Sequence, residues 1–336
     1  MNPRHLFFIA AALFAFSPPA RGAAPDLRVR EPDKLVILST SDVKGMTSPC
    51  GCLVPKGGLA RRAAVRDNLA TTFGQLLVVD SGGFFPEASD TQGQARAAFL
   101  MECMVAVGTD AAGLSEHELG FGRGWLTAQL ARTHLVAVCA NIRDRTSGET
   151  LVPAYRIFEK GTVKVGVFGL AQAKADLGPS RDSLTVEDPA AAAARVVPEM
   201  RGQGATVIVL LSQLGQAESE DLLGEVDGID VLIGGHDVPV VPSNHMVHGT
   251  ITSYAGQSGH QVGRAVLELD PERRMRSAQG DVVALGPEVS ERQDVLARVK
   301  RFTDDMNAQS KGARPTVPYP PSDKPKAVPI DWMDAR

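Results

Sequence analysis

Two cysteines separated by a single glycine, Cys50-Gly51-Cys52, form the most reactive pairing in this sequence. A Cys-x-Cys pair can close a small, strained disulfide ring, and strained disulfides have more oxidising potentials, which suits thiol redox chemistry. Lys44 and Lys56 are near enough in sequence to lower a thiol pKa and favour the nucleophilic thiolate. The pair also suits a soft or borderline ion such as Zn or Cu(I), with His117 or His236 as a further ligand. A structural clip of the loop is the third reading. Cys103 and Cys139 lie in apolar stretches and read as buried small hydrophobes. His134, His245, His248 and His260 read as surface or hydrogen-bonded groups. Arg61 and Arg62 have the chemistry to meet a phosphate, although the helix they open requires at least one of them to pair structurally.

These residues need elements to position them. Apolar runs over Leu35–Thr40, Leu76–Asp80, Asp110–Leu114, Leu135–Asn141, Val163–Leu170, Thr206–Ser212, Val231–Gly234, Ile251–Tyr254 and Arg264–Leu269 predict strands buried on both faces. Helical spacing predicts helices over Leu59–Phe73, Gln92–Val107, Gly124–Arg132, Pro189–Arg201, Ser219–Val226 and Ser290–Asn307, with Asp188-Pro189 as a cap and first-turn proline. The alternating order predicts an α/β fold. In such sheets ligands bind beyond the carboxyl ends of the strands. The segments there are Ser41-Asp42-Val43-Lys44-Gly45, Asp80-Ser81-Gly82-Gly83, Ser115-Glu116-His117-Glu118, Ser212-Gln213 and Gly234-Gly235-His236-Asp237-Val238, so polar and small residues from separate strands are expected to converge.

The stretches LVILSTSDVKG, KGGLARRAAV, LLVVDSGGFF, GTDAAGLSEHELGFG, VCANI, VIVLLSQLG, GIDVLIGGHD and YAGQSGHQVGRAVLELD occur in that order between Leu35 and Asp270. In this order they resemble the 5′-nucleotidase branch of the calcineurin-like metallophosphoesterases. The resemblance implies a four-layer αββα metallophosphatase-like sandwich without the nucleotidases' C-terminal substrate domain. It also implies a two-metal hydrolytic site, from which this sequence departs. The first aspartate is kept as Asp42, but Lys44 replaces its partner histidine, Gly83 the bridging aspartate, Glu116 the asparagine, Gln213 a lone histidine and Val238 the last histidine. His236 remains, as does His117, which in the family stabilises the transition state, and Glu118 follows it. A two-metal clamp depends on its bridge, so a two-metal centre is not expected. A single divalent ion, Zn or Mn, on Asp42, Glu116 and His236 is the remaining metal reading, and Lys44 is placed to neutralise Asp42 where an ion would otherwise sit. The Cys50 loop also resembles a divergent bacterial subgroup in which Cys-Gly-Cys replaces metal ligands.

Catalytic candidates are thus Cys50, Cys52, His117 and Glu118, with Lys44, Gly83, Gln213 and Asp237 also at the crevice. The expected function is a 5′-nucleotidase-like protein with a degenerate metal site and a thiol redox or metal-binding role at the cysteines. The alternatives are a phosphoesterase acting through one metal and a non-catalytic binding protein. Over 336 residues the charge is -4, which provides no basic footprint for nucleic acid. Partners are expected to be a small molecule or a periplasmic redox protein. Residues 1–22 read as a signal peptide cut before Ala23, because the apolar run Leu6–Phe16 is shorter than the roughly 20 residues that span a bilayer. The mature chain is expected to be secreted or periplasmic, with a metallophosphatase-like domain over 34–285, a helix over 286–309 and a Pro-rich tail over 310–336.

Overall fold

Strands with apolar residues at consecutive positions need cover on both faces, and two stacked sheets flanked by helices supply it. The computed structural model describes residues 31–87 and 90–309, so the segments read as signal peptide and Pro-rich tail lie outside the described residues. The chain opens with β1 (Lys34–Thr40), α1 (Leu59–Phe73), β2 (Leu76–Asp80), α2 (Thr91–Ala106), β3 (Ala111–Ala112) and α3 (Arg123–Thr133). It continues through β4 (Ile142–Asp144), β5 (Tyr155–Lys160), β6 (Val163–Ala171), β7 (Leu184–Val186), α4 (Pro189–Gly202), β8 (Val207–Gln213) and α5 (Gln216–Glu225). It closes with β9 (Val231–Gly234), β10 (His245–Val247), β11 (Thr250–Ser253), β12 (Gln261–Leu269), β13 (Met275–Ala284) and α6 (Gln293–Gln309).

One sheet has the order β13-β12-β1-β2-β3, the other β10-β11-β9-β8-β6-β5, and β4-β7 is a separate ribbon. Side chains alternate faces along a strand. Leu35, Ile37, Leu77 and Val79 therefore point into the space between the sheets, against Val165, Val167, Val207, Val209 and Val231. On the outer face of the first sheet, Val36, Leu38 and Val78 pack with Val65 and Leu69 of α1. Phe168, Ile208, Leu210 and Leu232 pack with Val196 and Met200 of α4 and Leu222 of α5 on the outer face of the second. The layers are helix, sheet, sheet, helix, the metallophosphatase-like arrangement expected from the sequence. The Asp188 carboxylate caps α4, accepting from Ala191 N–H at 2.9 Å, with Pro189 in the first turn.

One expectation is corrected and one strand is added. Leu135–Asn141 is no ladder strand: it makes an isolated bridge, Ala112 to Ala137, and threads between layers, with Val138 in the inter-sheet core and Ala140 in the outer one. Its apolar sequence reflects burial on all sides. Conversely, β13 escapes the apolar pattern because polar residues interrupt its apolar ones and all are partly or fully exposed, yet it pairs antiparallel with β12 from Gln261–Ala284 to Leu269–Met275. α6 folds back over the helical face, where Phe302 stacks on Phe99 at 3.9 Å.

Candidate functional site

β1 and β2 run parallel, as do β8 and β9, so the loops that leave their carboxyl ends meet at one edge of the sandwich. The loop after β1 is laid against the loop after β2 by three backbone bonds: Asp42 N–H to Gly82 O, Lys44 N–H to Gly83 O and Gly45 N–H to Phe84 O. Asp42, Lys44, His236 and Asp237 all have positive φ, at 47°, 51°, 71° and 59°. Side chains other than glycine rarely adopt this region, and local strain of this kind clusters at functional loops.

Asp42 is buried; its Oδ2 accepts from the Asp237 N–H at 3.2 Å. Burial pushes its pKa up to about 6, opposed by the Asp237 N–H and a bond from Gln213. Gln213, fully buried, donates through Nε2 to Ser81 Oγ at 3.1 Å. Gly83, which the resemblance sets at the position of the bridging carboxylate, has a Cβ position 2.2 Å from Asp42 Oδ1. Gly235 is equally hemmed in, with Gln213 Nε2 2.2 Å and Ser81 Oγ 2.7 Å from the position of a Cβ. Asp42, Gln213 and Ser81 thus fill the space between the loops.

Lys44 does not neutralise Asp42 as the sequence suggested. Its ammonium lies 2.6 Å from Asp237 Oδ1 and 3.4 Å from Glu87 Oε1. Partial burial works to lower the Lys44 pKa, but the Asp237 hydrogen bond and the two carboxylate charges outweigh it and raise it. The same Lys44 hydrogen bond and charge lower that of Asp237, with smaller help from His236 and His117. No sequence motif marks Glu87 as part of this group.

Glu116 lies between the two retained imidazoles, its Oε1 3.4 Å from His236 Nδ1 and 3.8 Å from His117 Nε2, all three side chains being partly exposed. Glu118 is different: fully buried, its carboxylate accepts from the Gly83, Phe84, Phe85 and Ser115 N–H groups and from Ser115 Oγ. Burial pushes its pKa up to about 7 against these donors. Both oxygens are thus engaged in holding the loop after β2, which makes Glu118 a positioning residue. Arg62 and Asp80, both buried, face each other at 3.7 Å beneath that loop, so Arg62 is a structural partner. Arg61 is likewise buried and donates to Pro55 O and Leu285 O.

The donor set does not fit the two-metal centre that the resemblance implies, because Gly83 offers no bridging carboxylate and Lys44 offers an ammonium held by Asp237. Nor do Asp42, Glu116 and His236 gather around one point: among the described residues, no group of three or more His, Cys, Asp or Glu side chains is arranged to hold an ion.

Cys50 and Cys52 are free thiols in the loop between β1 and α1. Cys50 N–H donates to Lys56 O at 2.9 Å and Lys56 N–H to Cys50 Sγ at 3.3 Å, which ties the neck of the loop. Slight burial works to raise the Cys50 pKa, but hydrogen bonds from the Cys52 thiol and the Lys56 N–H, with the Lys56 charge, bring it below its ordinary value. Cys52, donating its proton to Cys50, is raised. Among the described residues, no hydrogen bond links either thiol to Asp42, His117 or His236. Cys103 and Cys139 are buried, and burial raises both. A shallow cleft of about 360 Å³ lined by Leu130, His134, Leu151 and Arg156 opens elsewhere and contains none of these groups.

Fold and loop arrangement together define a metallophosphoesterase-type α/β sandwich. No protein-family model matches the chain. Its relatives are 5′-nucleotidases and calcineurin-like phosphoesterases: a snake venom 5′-nucleotidase of Gloydius brevicauda is 24% identical over 323 residues, 85% of this chain and 54% of that protein. The solved 5′-nucleotidase precursor from Thermus thermophilus superposes with a TM-score of 0.73 at 24% identity, over 82% of this chain and 59% of that one. The calcineurin-like phosphoesterase YfkN of Bacillus subtilis does so with a TM-score of 0.69 at 21% identity, over 83% of this chain and 99% of that one. The chain spans about half the length of the venom nucleotidase it matches. These similarities support the 5′-nucleotidase branch of the metallophosphoesterases. Among the described residues, no helix is long and apolar enough to cross a membrane.

Proposed function

We propose that this chain is a secreted or periplasmic 5′-nucleotidase-like protein whose family-type hydrolytic centre is degenerate, and that its chemistry is thiol redox at Cys50 and Cys52. The first half is supported by Gly83, which supplies no carboxylate where the resemblance implies the bridge, and whose φ of +68° and 2.2 Å separation between its Cβ position and Asp42 Oδ1 disfavour a side chain there. The second half is supported by two free thiols two positions apart on an exposed loop, with the Cys50 pKa lowered by Cys52 and Lys56. A thiolate attacks and a neighbouring thiol resolves, which is the division of labour that dithiol exchange needs.

Thiol and metal stoichiometry on the purified mature protein tests both halves together. The expected result is two titratable thiols that convert reversibly to one disulfide, at a potential within the working range of periplasmic exchange, with fewer than two tightly bound divalent ions per chain. A redox-inert pair holding a stoichiometric soft metal would replace redox with metal binding. Turnover of AMP with added Mn or Zn, lost in His117→Ala, would overturn the reading in favour of a hydrolase.

A further inference from the structure

The carboxylates at the crevice outnumber its ammonium. Glu87, Glu116 and Asp237 are all partly or fully exposed there, and Lys44 faces two of them, Asp237 at 2.6 Å and Glu87 at 3.4 Å. Asp42 adds a fourth acid, buried. A two-metal centre offsets such a charge with its ions, and this donor set does not fit one. The buried Arg62 is committed to Asp80 and Thr109. A negative field is left at the crevice, and it opposes the approach of a phosphate ester. Hydrogen-bond acceptors are in surplus as well. Gln213 is fully buried between the loops after β1, β2 and β9, with Nε2 donated to Ser81 Oγ and Oε1 without a hydrogen-bond partner among the described residues. Glu116 Oε2 is likewise buried and without one. Such groups call for a donor.

Resting on the reading that the family-type centre is degenerate, we propose that the crevice binds an organic cation, a small amine bearing two or more ammonium groups, rather than an anionic phosphate ester. The misfit between the donor set and a metal centre selects this ligand class. A chelated divalent ion needs its oxygens to converge on one point at about 2.0–2.6 Å, and among the described residues no acidic, imidazole or thiol side chains do so. Ammonium groups spaced along a chain need no common point. Each takes its own carboxylate at a charge-assisted hydrogen-bond length of about 2.7–2.9 Å. The fold already seats one ammonium in this way, Lys44 between Asp237 and Glu87. Glu116 is the second seat. Its neighbours are the imidazoles of His236 at 3.4 Å and His117 at 3.8 Å, and a neutral imidazole offers one further acceptor. One ammonium of the ligand donates to Glu116, and another lies against Asp237 and Glu87, whose side chains are 62% and 71% exposed and retain free acceptor capacity beside Lys44.

The test is calorimetry on the chelator-treated full chain at about pH 8, above the ordinary imidazole range, with spermidine as the polycation, AMP as the anion and Mn as the divalent ion. Spermidine is expected to bind more tightly than AMP, and about tenfold more weakly when salt rises from about 0.02 M to about 0.5 M. Glu116→Gln keeps the side-chain shape and is expected to weaken spermidine about fivefold. Glu87→Gln, on an exposed side chain, is expected to weaken it in the same direction without touching the fold. Glu272→Gln removes the same charge from the turn between β12 and β13, at the opposite end of the first sheet, and is expected to leave affinity unchanged. Equal affinities in Glu116→Gln and Glu272→Gln would mean general attraction to a negative chain and overturn the crevice assignment. Absent spermidine binding, or tighter binding of AMP, overturns the ligand class. Two tightly held Mn ions per chain would remove the degenerate-centre reading itself, whereas loss of spermidine binding without such ions removes this inference alone.

Discussion

Lys44 Nζ lies 2.6 Å from Asp237 Oδ1, so the loops after β1 and β9, which belong to different sheets, are joined by an ion pair at the crevice. The Asp237 N–H reaches Asp42 from the same loop, which connects the buried acid to the half-exposed pair. Lysine and aspartate here stand where the resemblance implies metal ligands and the residue between them.

Because the Asp237 side chain is 62% exposed, solvent screens this pair. Asp237→Asn is expected to cost about 0–1 kcal/mol in dilute buffer and less in about 1 M salt. Urea denaturation at two salt concentrations checks this. A loss well above that range, insensitive to salt, would mean that the pair is shielded from water.

Restoring the family's carboxylate should fail. Gly83 has a φ of +68°, and its Cβ position is 2.2 Å from Asp42 Oδ1. Gly83→Asp is therefore expected to destabilise the fold by about 2–4 kcal/mol through backbone strain and collision. Calorimetry with Mn and Zn is expected to show no new tight site, and tight binding by a well-folded variant would contradict the geometry. Gly83→Ala separates the causes, since it adds the Cβ without a second carboxylate.

Asp42 makes stability depend on pH in a defined direction. Its pKa rises from 3.8 to about 6, so the folded state favours the neutral acid. The contribution is full below the unfolded value of 3.8 and is lost as pH rises through about 6. The penalty at pH 8 amounts to about 3 kcal/mol. Asp42→Asn is expected to recover much of it at pH 8 and little at pH 4. Equal effects at both values in denaturant titrations would remove Asp42 as the cause.

Glu118 supplies acceptors to four backbone N–H groups and one hydroxyl. Glu118→Gln turns one acceptor into a donor facing donors, at a cost of about 2–4 kcal/mol. The drop in Tm is expected to come with faster amide exchange at Phe84 and Phe85. Unchanged exchange there would mean that other contacts hold the loop.

The layers were legible because two-sided burial leaves strands dominated by apolar residues, uninterrupted from Val207 to Leu211 and broken by Lys164 and two glycines in Val163–Ala171. Leu135–Asn141 carries the same signal without a ladder, since burial between layers selects apolar residues whether or not a strand forms. At the crevice, residue types were legible but pairings were not. Sequence proximity puts Lys44 beside Asp42, whereas the fold pairs it with Asp237, nearly two hundred positions away in sequence. Glu118 reads as chemistry by adjacency to His117, although the 3-10 turn at His117–Leu119 sends one side chain to the crevice and buries the other.

The thiol pair makes a crossed prediction. Cys50 is lowered, against the effect of its slight burial, by the Cys52 thiol that donates to it, and Cys52 is raised by that same bond. Removing either partner should move the survivor back toward 9.0, from opposite sides. Cys52→Ala is expected to raise the pH at which Cys50 becomes reactive, and Cys50→Ala to lower it for Cys52. Iodoacetamide alkylation rates between about pH 6 and 10 (the range around the ordinary thiol pKa), resolved by peptide mass, report both. Cys103 and Cys139 serve as internal controls, since burial raises both and should keep them unmodified in the folded protein. Shifts in the same direction for both variants, or none in either, would mean that the two thiols do not share a proton and that neither is activated by the other.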